Sequence, residues 1–182
     1  MCVACCVLRP HQKGAVMMNI KNILVATDFS EPSSAALAYG REFARMFGAR
    51  LHVLHVVENA MLLGGAEAAG VNFAQMQAEL EAGAQNTLDR IVTQEDRAQL
   101  HATTVVRARN SPALEIAEYA KVENVDLVVM GTHGRGMMAH LLMGNVAEKV
   151  VRTAPCPVLT VRHPQHEFIQ PDALQPVAAV KR

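Results

Sequence analysis

Short apolar runs rich in β-branched residues alternate along this chain with longer stretches whose apolar positions recur at helical spacing. The first run, Ile20–Thr27, contains NILVAT and ends at Asp28; it reads as a strand buried on both faces. Ser30-Glu31-Pro32 then supplies a capping residue, an acid and a first-turn proline. Leu37, Gly40, Phe43, Ala44 and Phe47 continue as a helix that Gly48 ends. Leu51–Val57 is a second strand, and Phe73, Met76, Leu80, Ala84, Leu88 and Ile91 mark a second helix. Thr103–Arg107 is a third strand. Ser111-Pro112 opens a third helix with Ile116, Ala117 and Ala120 inward, broken at Asn124-Val125-Asp126. Leu127–Met130 is a fourth strand; Leu142, Val146, Val150 and Thr153 carry a fourth helix, which Pro155 and Pro157 stop. Val158–Val161 is the fifth strand, with a proline at its start that suits a sheet edge. Five strands alternating with four helices predict one α/β domain with a mainly parallel sheet.

The remaining segments add little to that frame. Residues 1–19 lack a clean period and are expected to be a poorly ordered leader, with Met17 or Met18 the natural start. Their Cys2, Cys5 and Cys6 stand too close together for a paired-knuckle zinc site, and Arg9 and Lys13 follow the apolar stretch instead of preceding it as in a signal peptide. Glu58–Asn72 is long for a strand–helix connection and reads as a mobile flap. Residues 163–182, broken by Pro164, Pro171 and Pro176, read as a tail.

Composition narrows the function. The chain is 182 residues long and 51% hydrophobic, so it has enough material for a real core, built from aliphatic residues and Met because Trp is absent. Lys plus Arg and Asp plus Glu number 17 each, which leaves no basic surplus for nucleic acid. No apolar run approaches a membrane span. The cysteine spacing suggests no disulfide framework, so a reducing cytoplasm is expected. Cys156 reads as a small apolar residue between prolines. His52 and His55, an odd number of residues apart in one strand, face opposite ways and are read as core histidines and not as a metal pair.

The chemistry is concentrated in Leu127–Val151, where a strand leads through Gly131, Gly134 and Gly136 into a helix beginning near Gly144-Asn145. Glycines let backbone approach a ligand, and a helix N-terminus with its unpaired N–H groups favours an anion. Gly131 and Gly136 have P-loop spacing, but Met137-Met138 stands where lysine and a hydroxyl are required. Gly134, Gly136 and Ala139 satisfy a dinucleotide fingerprint, yet follow the fourth strand instead of the first, with no acid placed after Val161. The third pattern is Gly131, Gly134, Gly144 and Asn145: G-x-x-G, nine residues, then glycine and a polar residue. Taken singly, Gly134 and Gly136 could make only a turn, and Asp28 could only cap the first helix.

Together with the opening NILVATDFS, the segment VDLVVMGTHGRG and the closing GNVAEKVVRTAPCPVLTV, this pattern resembles the universal stress protein family over residues 20–162. The resemblance implies an open, Rossmann-like α/β fold: a five-stranded parallel sheet in the order 3-2-1-4-5 with helices on both faces. It implies the family's ATP-binding branch, with ATP and Mg²⁺ as ligands and a regulatory role in stress. By the resemblance, Ala26, Thr27 and Asp28 line the nucleoside end, with Asp28 accepting from ribose or adenine, and the Val57 backbone meets the adenine edge. Met130 and Gly131 border ribose and phosphates; Gly134 and the N–H groups of Gly144, Asn145 and Val146 hold the phosphates, with His133 and Arg135 adding contacts. Asn145 departs from the usual Ser or Thr and keeps donors without the small hydroxyl. The resemblance also implies a homodimer paired through Val158–Val161, and an unidentified protein partner. Two rival readings accompany it: a slow ATPase or phosphotransferase using His133 or Asp28, and a nucleotide-free interaction module.

Overall fold

The computed structural model describes residues 19–60, 72–132 and 143–162. The leader, the tail, most of the Glu58–Asn72 connection, and His133, Gly134 and Arg135 lie outside the described residues. Five strands form one parallel sheet: β1 (Asn22–Ala26), β2 (Arg50–Val57), β3 (Thr103–Ala108), β4 (Leu127–Gly131) and β5 (Val158–Val161). Their order is β3-β2-β1-β4-β5, as the resemblance implied. Helices α1 (Glu31–Phe47), α2 (Phe73–Ile91), α3 (Gln94–Gln99), α4 (Pro112–Val122) and α5 (Asn145–Thr153) connect them. None of the described helices is long and apolar enough to cross a membrane.

The continuous apolar strands are explained by cover on both faces. Ile23 and Val25 of β1, Leu51 and Val53 of β2 and Val129 of β4 pack with Ala36, Leu37, Ala44 and Leu88 of α1 and α2. Their neighbours in sequence, Leu24, Ala26, Leu54, Val128 and Met130, point the other way, onto Ile116, Ala120, Ala147 and Val150 of α4 and α5. Period-two alternation with both sets apolar is the mark of a parallel sheet sandwiched between helices. At Gly40 α1 lies directly against the sheet: a Cβ built there would overlap Val25 Cγ2. Gly40→Ala is therefore expected to cost about 1–3 kcal/mol through overpacking, despite alanine's better helix propensity. A lower midpoint in urea denaturation is the measurement that shows it.

Three details differ from the sequence reading. β1 begins at Asn22, two residues later than expected, because the backbone N–H groups of Lys21 and Asn22 are taken by the Asp126 carboxylate, at 2.7 and 2.9 Å. Helix α3 is additional to the four helices expected. It has six residues, too few to show a period, and is started by a reciprocal cap: Thr93 Oγ1 accepts from Asp96 N–H, and Asp96 accepts from Thr93 N–H. His52 is only partly satisfied. Its Nδ1 lies 2.9 Å from Tyr119 Oη, but its buried Nε2 has no hydrogen-bond partner among the described residues. Burial, the largest influence, lowers the His52 pKa against the pull of Glu123; burial, helped by Glu123, pushes the Tyr119 hydroxyl up to about 12. The two histidines do face opposite ways, as read: His52 lies against Tyr119 of α4, and His55 stacks on Phe29 before α1.

Candidate functional site

The chain leaves β1 to one side for β2 and β3, then returns to the other side for β4 and β5. The connections after β1 and β4 thus diverge, and a crevice opens beyond the carboxyl ends of these two strands. A cavity of about 760 Å³ occupies this position. Because Ala26 is in register with Met130, the turn Thr27-Asp28 lies beside Gly131-Thr132. Ala26, Thr27, Asp28, Val57, Met130, Gly131, Gly144, Asn145 and Val146 all line the cavity, so every predicted site residue that is described lies on one wall or another of it.

The turn carrying Asp28 is built by short-range hydrogen bonds. Asp28 Oδ1 accepts from Ser30 N–H at 3.2 Å and from Ser30 Oγ–H at 2.5 Å. Asp28 does not cap α1: the N-cap is Ser30, and that side chain is turned to Asp28 and makes no cap bond. Thr27 Oγ1 accepts from Phe29 N–H at 3.1 Å and lies 3.0 Å from Ser33 Oγ, both hydroxyls being buried. The side chain of Asp28 is thereby held on a turn fixed at both flanks.

The start of α5 also lines the cavity. Gly144 is its N-cap, with extended backbone and no side-chain cap. Its own N–H donates to Thr132 O at 2.7 Å, so Gly144 is removed from the expected phosphate donors. The helical ladder begins with Glu148 N–H to Gly144 O at 2.9 Å. The N–H groups of Asn145, Val146 and Ala147 therefore precede the ladder and point into the cavity end, where the helix dipole is positive. Ala147 thus stands beside Asn145 and Val146 in the place among the free N–H groups that was expected of Gly144.

At the end of β2 the backbone groups that face the cavity are those of Val56 and not those of Val57. In a parallel ladder the N–H and C=O of one residue point to the same side, and successive residues alternate. Val57 O accepts from Arg109 N–H at 3.1 Å, which turns the Val57 peptide toward β3. Leu54 O accepts from Thr27 N–H at 2.9 Å, so Leu54, and by alternation Val56, faces β1. β1 ends opposite Leu54, and Val56 therefore presents its backbone groups over the end of β1, into the cavity. Sequence reasoning also missed Ser33, Phe29, His55 and Thr132, together with the apolar wall given by Leu80, Gly83 and Ala84 of α2 and Pro112 and Ile116 of α4. An alternation rule applied to the strand ends could have found Val56; the helix walls are set by packing that no local signal records.

Cys156 is a free, half-buried thiol packed against the α4–α5 core, and burial raises its pKa, with Asp126 adding to the effect, as suits an inert apolar residue. No cluster of three or more metal-ligating side chains occurs among the described residues.

An open five-stranded parallel sheet in the order β3-β2-β1-β4-β5, with a cavity at the switch point lined by Asp28 and the start of α5, defines an open α/β domain with helices on both faces of the sheet. Residues 19–162 match the model of the universal stress protein family, and the chain belongs to that family. A universal stress protein of Thermus aquaticus is 35% identical over 148 residues, covering 78% of this chain and 98% of that one. Universal stress protein MJ0577 of Methanocaldococcus jannaschii is 28% identical over 157 residues. Its solved structure superposes with a TM-score of 0.71 over 81% of this chain and 99% of that one, at 26% identity. A universal stress protein of Archaeoglobus fulgidus, solved in complex with dAMP, shares the fold at a TM-score of 0.55 and 23% identity, covering 79% of this chain and 99% of that one.

Proposed function

We propose that this protein binds ATP, with Mg²⁺, in the switch-point cavity, and acts as a regulatory member of the family's ATP-binding branch. The observation that carries the reading is that two unlike groups line one cavity: Asp28 on a fixed turn, and the first three N–H groups of α5. A hydrogen-bond acceptor and an anion-favouring helix start within one cavity suit a ligand that carries both hydroxyl donors and a phosphate, as a nucleoside phosphate does. The dAMP complex of the Archaeoglobus protein supports an adenine nucleotide as the ligand class. In this reading Asp28 accepts from ribose hydroxyls, Val56 reads the base edge through its backbone, and Asn145, Val146 and Ala147 hold phosphate oxygens. His133, Gly134 and Arg135 complete the phosphate end. Mg²⁺ arrives on the phosphates, since no ready-made cage of metal-ligating side chains exists among the described residues. Hydrolysis is slow, binding being the work of backbone donors and not of a positioned base.

The outer edge of β5, which pairs only with β4 in the sheet, is the surface we assign to a second copy in a homodimer. The cytoplasm is the proposed compartment. Occupancy is passed on to a protein partner.

With two tyrosines and no tryptophan, bound adenine would dominate the ultraviolet spectrum of the purified protein. Nucleotide released on denaturation, or a Mg–ATP-dependent rise in melting temperature, is the expected result. At a hundredfold excess over Kd the added stability is about 2.7 kcal/mol. Protein that carries no nucleotide and whose melting is unmoved by Mg–ATP would overturn the proposal.

A further inference from the structure

His55 and Phe29 form a pair in the cavity wall that the ribose and phosphate assignments do not use. Their rings stack with centroids 4.3 Å apart and planes 29° apart. His55 Nδ1 lies 2.8 Å from the carbonyl oxygen of Thr27. A carbonyl only accepts, so Nδ1 carries the proton in either charge state of the ring. Phe29 has φ +65°, a left-handed conformation that a bulky residue keeps only where its surroundings hold it.

The position of this hydrogen bond matters more than its strength. The last rung between β1 and β2 is Thr27 N–H to Leu54 O. The next rung of a parallel ladder would run from Val56 N–H to Thr27 O. Among the described residues no backbone bond from Val56 reaches that oxygen; the His55 side chain donates to it instead. The imidazole thus ends the ladder one rung early and satisfies the carbonyl that would otherwise draw in the Val56 amide.

We infer that His55 is a positioning residue for the ligand. It keeps the Val56 N–H turned to the cavity and, through its bond to Thr27 O, holds the turn on which Asp28 stands. One side chain thereby sets the base-reading and ribose-reading groups together. The inference rests on the nucleotide reading for its binding consequence, but the ladder substitution stands by itself.

Two replacements separate the donor from the ring. His55→Asn places an amide N–H close to where Nδ1 stands but removes the aromatic stack. His55→Phe keeps the stack and removes the donor. His55→Phe is expected to bind Mg–ATP at least about tenfold more weakly, the scale of one lost well-placed hydrogen bond in a site, while His55→Asn stays within about threefold of the parent. A purely structural role would instead show in thermal stability and would lower affinity equally in both. The readout that such a role would not move is amide exchange at Val56 in nucleotide-free protein. It is expected to be fast in the parent and in His55→Asn, and slowed at least about tenfold in His55→Phe as the rung to Thr27 closes. Unchanged Val56 exchange in His55→Phe, or equal affinity losses in the two variants, would overturn the inference. If the parent itself binds no nucleotide, the functional proposal fails, and the exchange comparison still decides the role of His55.

Discussion

Asp96→Ala is expected to be among the most destabilising single changes in this protein, at about 3–5 kcal/mol, lowering the melting temperature by about 10 °C. Asp96 is 3% exposed. It accepts from Arg41 Nε at 2.9 Å and Nη2 at 2.8 Å, and from Thr93 N–H at 2.9 Å. Arg41 Nη2 also donates to Ile91 O at 2.6 Å, so one guanidinium ties α1 to the end of α2 and to the cap of α3. Removal of the carboxylate strands a largely buried cation and unmakes the cap together. Arg41→Met in the Asp96→Ala background should recover part of the loss, because the stranded charge goes with it; a double-mutant cycle in urea measures this. Burial by itself would raise the Asp96 pKa, but the bonds from Arg41 and Thr93 outweigh it and hold the value below the usual carboxylate range. Folding therefore gains from this group above the unfolded pKa, and the gain disappears as pH falls through the lower, folded value. Acidification below about pH 4 should thus destabilise the parent more than it destabilises Asp96→Asn. Equal acid sensitivity of the two would remove Asp96 from the account.

Asn145→Asp is expected to have the largest effect on ligand binding, with little or none on the fold. The two side chains have nearly the same shape, and Asn145 is the first residue of α5. A carboxylate in the first helical turn is stabilising by about 0.3–1 kcal/mol, so the melting temperature of the free protein should stay level or rise. The same charge stands where we place the phosphates. At about 4 Å each unit of phosphate charge then meets a repulsion between about 1 kcal/mol, if fully hydrated, and about 4 kcal/mol near a protein surface. Mg–ATP affinity should fall at least about tenfold, AMP less, and adenosine hardly at all. Titration calorimetry with the three ligands gives the series. Equal losses for adenosine and ATP would mean that α5 does not face the phosphates.

Much of the fold could be read from alternation alone. LVVM, VLTV and LHVLHVV are apolar on both parities, and that pattern is stable only between two helical layers. Strand order is a different matter, because β1 could have been paired with any neighbour; it came from the resemblance. Helix α3 escaped because six residues hold less than two turns, although Thr93-x-x-Asp96 was a cap signature in plain sight. At the site, Asp28 and Asn145 could be placed because each stands at a strand end or helix start that the sequence announces. Val57 and Gly144 line the cavity as expected, but in each a backbone group expected to face a ligand is taken by another residue. Arg109 turns the Val57 peptide away, and Thr132 occupies the Gly144 N–H. Neither bond leaves a trace in local propensity, since the choice between adjacent residues depends on the phase of a ladder.

The bond from Gly144 N–H to Thr132 O has a consequence for how this family could diversify. It fastens the two ends of the intervening chain at one point, directly below the α5 donors. The entropy of closing such a ring rises only with the logarithm of its length, about 0.6 kcal/mol for each doubling. Residues inserted between Arg135 and Gly144 would leave the start of α5 where it is, whereas exchanges at His133, Gly134 or Arg135 would act on the phosphate end that we propose.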